Sequence, residues 1–345
     1  FIADADAPTL VTHVAFLDNY LLANKTGTGQ FYFADFSGAP TTWLSADVFT
    51  AEANPDDVVS LYVNKRIIIL EGEHTTEFWR SDGVSPFSRE QGATIAHGGM
   101  ASHSTAFVNE IAYFLDDNRR LIRLEGSSPS PIGTSFDKTI QGFSTVSDCV
   151  ADYITYEGRN WLLFTFPIED RTLFYDLDLG YWGEWSLWDS GSNARKRFLG
   201  QSYCYAQSWN QHLFGSFQVD KVLKMDSATY NDDGAAIRFT KRTGYIDHNM
   251  PGETKMVSWI RFILKTGIGI GAGGNTEPFM TLKWRDEGKS EWGNNRIIKI
   301  SGDRMFNHTE PFLGSYTARQ YEISCSDDCP VIIGQAVARV DSNGL

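Results

Sequence analysis

A chain of 345 residues that is 42% hydrophobic and 14% aromatic can bury a large core and hold more than one domain. Its formal charge of −13 argues against a sequence-independent grip on nucleic-acid phosphates. No apolar run approaches the roughly 18 residues of a membrane-spanning helix, so no membrane attachment is expected. The opening Phe1-Ile2-Ala3-Asp4-Ala5-Asp6-Ala7 is acidic where a secretory signal is basic, and the chain lacks a Met at position 1, as expected of part of a longer polypeptide.

Five copies of one pattern follow in order: an apolar stretch, a tight polar turn, then alternating apolar residues. They span Ala15–Leu22, Leu61–Ile68, Ala106–Tyr113, Thr155–Leu162 and Gln207–Phe214. With Asp18, Asn64, Asn109, Gly158 and Asn210 as equivalent turn residues, the spacings are 46, 45, 49 and 52 residues. A period in the forties with strand-like content marks a β-propeller, one four-stranded blade per repeat. Such repeats cannot bury their faces alone, so they stack into a ring. Further alternating segments follow four of the hairpins, at Thr76–Trp79, Leu121–Gly126, Leu173–Leu177 and Val222–Asp226, each with the period-2 pattern of a half-buried strand.

The expected fold is therefore all-β, with almost no helix, and a propeller over residues 1–245. Phe107, Tyr113, Leu163, Phe164 and Phe214 should lie between blades. About six blades are expected, rather than five or seven, because a ring closes best when the two chain ends share a blade. The period stops near residue 245. Residues 246–345 read as a separate β-rich unit, a small sandwich, with strands near Met256–Lys265, Phe279–Trp284, Arg296–Ile300, Gln320–Ile323 and Val331–Val340.

Chemistry-bearing motifs are sparse. Gly269, Gly271 and Gly274 satisfy G-x-G-x-x-G, but the residues after them lead into another strand instead of a phosphate-binding helix, so a hairpin loop is expected. Trp284–Trp292 is a degenerate Asp-box, a turn motif also found in sialidases. In it Asp286 would accept backbone N–H bonds, Gly288 would take a positive φ and Trp292 would pack beneath. The acidic pairs Asp116-Asp117, Glu169-Asp170 and Asp232-Asp233 sit at turns, where aspartate serves the backbone. His97 and His103 flank a Gly-Gly bend with no third ligand nearby, and Cys325 and Cys329 read as thiols flanking a turn rather than a bridge or half a zinc site. No catalytic residue, metal or cofactor is expected. Lys65-Arg66, Arg119-Arg120 and Arg195-Lys196-Arg197 are basic clusters in an acidic chain, and the last is the candidate docking cluster for acidic partner surfaces.

Gln91–Ala101, Ser104 and Tyr113–Asp117, with Glu77–Trp79 before them and Glu157-Gly158, Leu163–Pro167, Thr172–Leu177 and Gly180–Trp185 after, resemble the packaged-DNA stabilisation proteins of short-tailed phages. So do Leu282–Gly288, Leu313-Gly314 and Arg319–Ile323 in the tail. The resemblance covers roughly residues 55–340. Residues 1–54 fit it through the repeat alone, and Glu291 between Ser290 and Trp292 departs from the usual Asp-box.

The resemblance implies a tail hub, or nozzle, of the virion. Copies assembled in the host cytoplasm would form a homo-oligomeric ring, expected to be a hexamer, below the portal and its adaptor. The ring would close the portal vertex after packaging, meet tail needle or tailspike proteins and conduct DNA during ejection. It carries over no catalytic residue. The negative charge suits a conduit that passing DNA must not stick to. The isolated chain is expected to be monomeric or weakly associated until it meets its template, and reversing Arg195, Lys196 and Arg197 together is expected to spare folding while reducing attachment. The alternative is a sialidase-like propeller that binds or hydrolyses glycans, which would need an acidic pocket rimmed by Trp and Tyr.

Overall fold

The computed structural model describes residues 4–36, 42–51, 53–81, 83, 86–133, 135–189, 191–265, 278–300 and 305–342. The Gly269, Gly271, Gly274 motif lies outside them. Two compact units emerge: residues 1–186 with 196–223, and residues 187–195 with 224–345.

Antiparallel sheets follow one another along the first unit, each strand hydrogen-bonded to its sequence neighbour. Sheet I holds β1 (Val14–Leu17), β2 (Tyr20–Lys25), β3 (Gln30–Asp35) and β4 (Val48–Thr50). Sheet II holds β5 (Val58–Asn64), β6 (Ile67–Gly72), β7 (Thr76–Arg80) and β8 (Ser88–Arg89). Sheet III holds β9 (Ala106–Val108), β10 (Ile111–Leu115), β11 (Leu121–Glu125) and β12 (Ser128–Pro131), followed by the five-residue helix α1 (Asp137–Gln141). Sheet IV holds β13 (Val150–Tyr156), β14 (Arg159–Phe166), β15 (Arg171–Asp176), β16 (Tyr181–Asp189) and β17 (Ala194–Arg197), the last two straddling the division between units. Sheet V holds β18 (Gly200–Ala206), β19 (Gln211–Ser216) and β20 (Val222–Lys224).

Every repeat read from the sequence falls on the first hairpin of a sheet. The pairs Leu17↔Tyr20, Val108↔Ile111 and Tyr156↔Arg159 each close a two-residue loop. In those loops both residues have positive φ: Asp18 and Asn19, Asn109 and Glu110, Glu157 and Gly158. That is the turn whose twist matches the right-handed twist of the strands it joins. Two of the assumed turn residues are displaced by one position. Asn64 is the last residue of β5, so Lys65 with φ 57° is the true equivalent of Asp18, and Glu157 precedes Gly158 in that role.

Alternation along the strands produces the contacts between sheets. Leu17, Leu22, Phe31 and Phe33 of sheet I form one buried cluster with Leu61, Ile68, Leu70 and Trp79 of sheet II. Ile69 and Phe78 meet Ala112, Phe114, Ile122 and Leu124 of sheet III. Tyr113, Leu115 and Leu121 meet Leu162, Phe164, Phe166 and Leu173 of sheet IV. Phe198 connects Trp185 of sheet IV with Phe214 of sheet V at ring distances of 5.1 and 5.3 Å. Tyr113, Leu163, Phe164 and Phe214 are buried as anticipated, whereas Phe107 is half-buried.

The sheets fan about a common axis. First strands neighbour one another, β1 beside β5, β9 beside β13, and β13 beside β18. His13 before β1 touches His103 before β9 at 5.1 Å, although sheet II lies between them in the chain. A flat row of sheets would keep the first and third apart. The fold is a β-propeller.

Residues 224–245 group with the second unit, so the division falls earlier than the 1–245 and 246–345 read from the period. A short hairpin, β21 (Asn231–Asp232) and β22 (Ala235–Ala236), leads to β23 (Phe239–Arg242), β24 (Lys255–Lys265), β25 (Phe279–Asp286), β26 (Arg296–Lys299), β27 (Met305–Tyr316), β28 (Arg319–Cys325) and β29 (Ile332–Ser342). They form two sheets in the orders β23-β28-β25-β26 and β27-β24-β29. Val257, Ile260, Phe262 and Leu264 of one sheet pack on Met280, Leu282, Ile298 and Tyr321 of the other, which makes a sandwich. β23 explains the earlier boundary, since it pairs with β28 from Phe239↔Cys325 to Arg242↔Glu322.

Candidate functional site

Polar side chains gather where the first strands of the propeller meet. Glu71, near the end of β6, is fully buried. Its carboxyl accepts hydrogen bonds from Ser60 Oγ of β5 at 2.5 Å and from Thr105 Oγ1, just before β9, at 2.9 Å. One side chain thus joins sheets II and III. Burial pushes the Glu71 carboxyl up to about 7, against the lowering effect of the two hydroxyls. Gly98 and Gly99 bring the approach to sheet III close to this carboxyl. A Cβ on Gly98 would lie 2.2 Å from Glu73 O, and one on Gly99 would lie 3.1 Å from Glu71 Oε2. The Gly-Gly bend in the sequence is therefore a contact requirement.

Tyr62 of β5 donates its hydroxyl to Ser102 O at 3.0 Å, and burial followed by the Glu71 charge pushes its ionisation up. His13 packs edge-on against Tyr62 at 5.1 Å. Burial, then the neighbouring His103, pull the His13 imidazole down to about 4. Its Nδ1 lies 3.0 Å from Thr12 Oγ1, and a hydrogen bond with the Ser102 backbone opposes the lowering. On sheet IV, burial raises Asp152 to about 6, opposed by the Tyr203 backbone N–H. Tyr203 in turn meets His212 Nδ1 at 2.7 Å, and Tyr156 and Tyr205 pack on the same imidazole at 5.0 and 4.8 Å.

Convergent titratable groups were not expected from the sequence, and here the structure corrects the reading. Glycoside hydrolysis needs two carboxyl groups within reach of one substrate bond. Glu71 is enclosed by protein, and His13 is nine-tenths buried. The sequence did carry a signal for Glu71, a charge terminating the apolar run Ile67–Leu70 where a solvated strand would show alternation.

Two of the three acidic pairs serve loops, as anticipated, whereas Asp232 ends the strand β21. Asp116 is fully buried and accepts the backbone N–H groups of Asn118 and Arg120 at 3.0 and 2.7 Å, with His97 Nδ1 at 3.1 Å. Glu169 caps the backbone N–H groups of Ser144 and Thr145 at 2.7 and 3.0 Å. Asp232, next to Asp233, is raised by burial to about 6. Among the described residues no group of three or more His, Cys, Asp or Glu side chains is placed to hold a metal ion.

The Asp-box-like turn keeps one of its three expected features. Gly288 has φ 79°. Asp286 accepts instead from the buried guanidinium of Arg319, whose Nε lies 2.6 Å from Oδ1 and whose Nη1 donates to Leu313 O at 2.7 Å. A charge-assisted bond to a buried arginine is stronger than one to a backbone amide. Trp292 lies among Arg242, Lys283 and Arg285, each 5.0 to 5.3 Å from its ring, rather than beneath the turn.

The basic cluster also divides. Arg195 is exposed. Arg197 is half-buried, stacks over Phe217 at 3.7 Å and donates its backbone N–H to Asp170 at 3.1 Å. Reversing its charge would break packing, so the expectation that all three reversals spare folding fails at Arg197.

A family model described as bacteriophage P22 Gp10, beta-propeller, matches residues 2–230. The chain belongs to this family. No curated protein matches it. Among solved structures it is similar to Hsv2 of Kluyvelomyces marxianus, at 9% identity and a TM-score of 0.35, covering 60% of each chain. It is also similar to an exo-β-1,3-galactanase of Phanerochaete chrysosporium, at 9% identity and a TM-score of 0.29, covering 94% of this chain and 95% of that one.

Proposed function

We propose that the protein is a structural component of the virion, a tail hub that closes the portal vertex after packaging and lets DNA out at ejection. The observation that carries this reading is the family match across the propeller. The axis adds a constraint. The His13 ring lies 5.1 Å from both the Tyr62 and the His103 ring where the first three sheets come together, a spacing far too small to admit duplex DNA between those side chains. A passage for DNA therefore has to be built between copies, around the axis of a ring and not through the propeller of one chain. Portal and adaptor proteins supply the template, and tail needle or tailspike proteins meet the far side. Turnover forms no part of this role, since Glu71 is enclosed by protein.

The test uses DNA-filled particles assembled without the protein. They should lose DNA, and adding the purified chain should stop the loss. Particles that retain DNA equally well without it would remove the closing role.

A further inference from the structure

The second unit contains a feature that the hub reading does not use. Cys325 ends β28, and Cys329 follows after the turn Ser326-Asp327-Asp328, which is closed by the Cys329 N–H donating to Asp327 O at 2.8 Å. Both thiols are free and buried, only 5% and 6% exposed. Both also line a cleft of about 380 Å³, walled by Tyr230, Phe239 and Ile332, with Asp327 beside them. The pair is asymmetric. As a thiol Cys325 donates to Phe279 O at 3.3 Å, and Cys329 with the backbone N–H groups of Asp327 and Ser326 favours its thiolate. Those donors pull the Cys325 thiol below its ordinary value, while the neighbouring sulfur and burial push Cys329 up. Two free thiols four residues apart, on either side of a closed turn and lining the same cleft, have the layout of an exchange-active pair.

We propose that Cys325 and Cys329 form a redox-active dithiol that closes to an intramolecular disulfide by exchange with a small-molecule disulfide of the glutathione type. Cys325 thiolate attacks one sulfur of oxidised glutathione. The glutathione S–S bond breaks, a mixed disulfide forms on Cys325, and one glutathione thiolate leaves and takes up a proton. Cys329 loses its proton to solvent and attacks Cys325 Sγ, and the second glutathione leaves. Two protein thiols have given up two electrons and two protons, and one disulfide has become two thiols. The new bond ties the end of β28 to the segment leading into β29. A chain made in a reducing cytoplasm stays open there, and a virion outside the cell meets oxidising conditions.

The purified chain is equilibrated in buffers of fixed reduced-to-oxidised glutathione ratio, quenched with an alkylating agent and analysed by peptide mass spectrometry. The Cys325–Cys329 peptide should pass from two alkylated thiols to one internal disulfide, without a lasting mixed disulfide. Exposed Cys204 should take up glutathione, and buried Cys149 should stay reduced. The equilibrium constant for closure should be at least tenfold larger in the folded chain than in urea, because the fold holds the thiols together. In Cys329→Ser, Cys325 should stop at the mixed disulfide, and in Cys325→Ser, Cys329 should react far more slowly. Two thiols that remain alkylatable at every ratio, equal constants in the folded and unfolded chains, or an unreactive Cys325 in Cys329→Ser would each overturn the proposal.

Discussion

Glu71 shows what one residue does for this fold and what it costs. In the unfolded chain a glutamate ionises near its ordinary 4.5, whereas in the fold it holds its proton to about 7. Between those values the folded state binds the extra proton, so stability falls as pH rises and levels off above 7. The raised carboxyl is worth on the order of 3 kcal/mol across that window. Asp152, raised to about 6, acts in the same direction. His13, depressed to about 4, acts oppositely: its contribution is full above the unfolded value of 6.5 and is lost as pH falls toward 4. The comparison must therefore be made against Glu71→Gln. Melting temperatures from pH 4.5 to 8 should show the variant gaining on the parent as pH rises. Parallel curves would mean that Glu71 titrates normally.

Arg319 is the second residue on which much depends. It is 1% exposed, bonded to Asp286 and Leu313 O, and stacked on Tyr316 at 4.3 Å. Arg319→Leu should cost about 3 kcal/mol in urea denaturation, because Asp286 and a carbonyl lose their partner. A change under about 0.5 kcal/mol would show that the pair is replaceable.

At the scale of elements, the hairpin repeats were legible because tight turns demand positive φ and the sequence supplies Asp, Asn and Gly there. The exact turn residue was not legible, since Asn64 favours the left-handed conformation and only the strand register, Asn64↔Ile67, gives it to Lys65 instead. Two glycines separate backbone conformation from contact. Gly158, at φ 75°, has open space around its missing Cβ, so Gly158→Ala should cost about 1 kcal/mol through conformation alone. A Cβ on Gly98 would lie 2.2 Å from the Glu73 carbonyl oxygen, so Gly98→Ala should force sheets II and III apart and cost about 3 kcal/mol. Chemical denaturation of both variants gives the order directly. A reversed order would mean that the bend is not a close approach.

The axial cluster was harder to foresee than the turns. Ser60, Glu71 and Thr105 come from two sheets, and period-2 alternation says which face a residue shares but not which face meets it across the axis. β27 was missed for a local reason. Met305–Tyr316 carries Asn307, His308, Thr309 and Glu310, too polar a run to signal a strand, yet β24 pairs with it from Lys255↔Tyr316 to Lys265↔Met305. The boundary was misplaced because β23, Phe239–Arg242, looks like one more repeat strand until its partner at Arg319–Cys325 is seen.

At the scale of the whole molecule, a chain of net charge −13 should not associate with its own copies without a template. Charge reversal is best confined to Arg195 and Lys196, leaving Arg197 on Phe217. That double variant should fold normally and attach to a portal–adaptor ring several-fold more weakly than the parent, and added salt should weaken the parent likewise. Unchanged attachment would move the docking surface elsewhere.

The central claim is that DNA passes between copies and not through one. Native mass spectrometry of the chain, alone and with the portal–adaptor ring, tests it most directly. The account predicts a monomer alone and a closed ring, expected to be sixfold, on the template. A single copy bound at the portal vertex would contradict it, because the passage proposed for DNA exists only between copies of a closed ring.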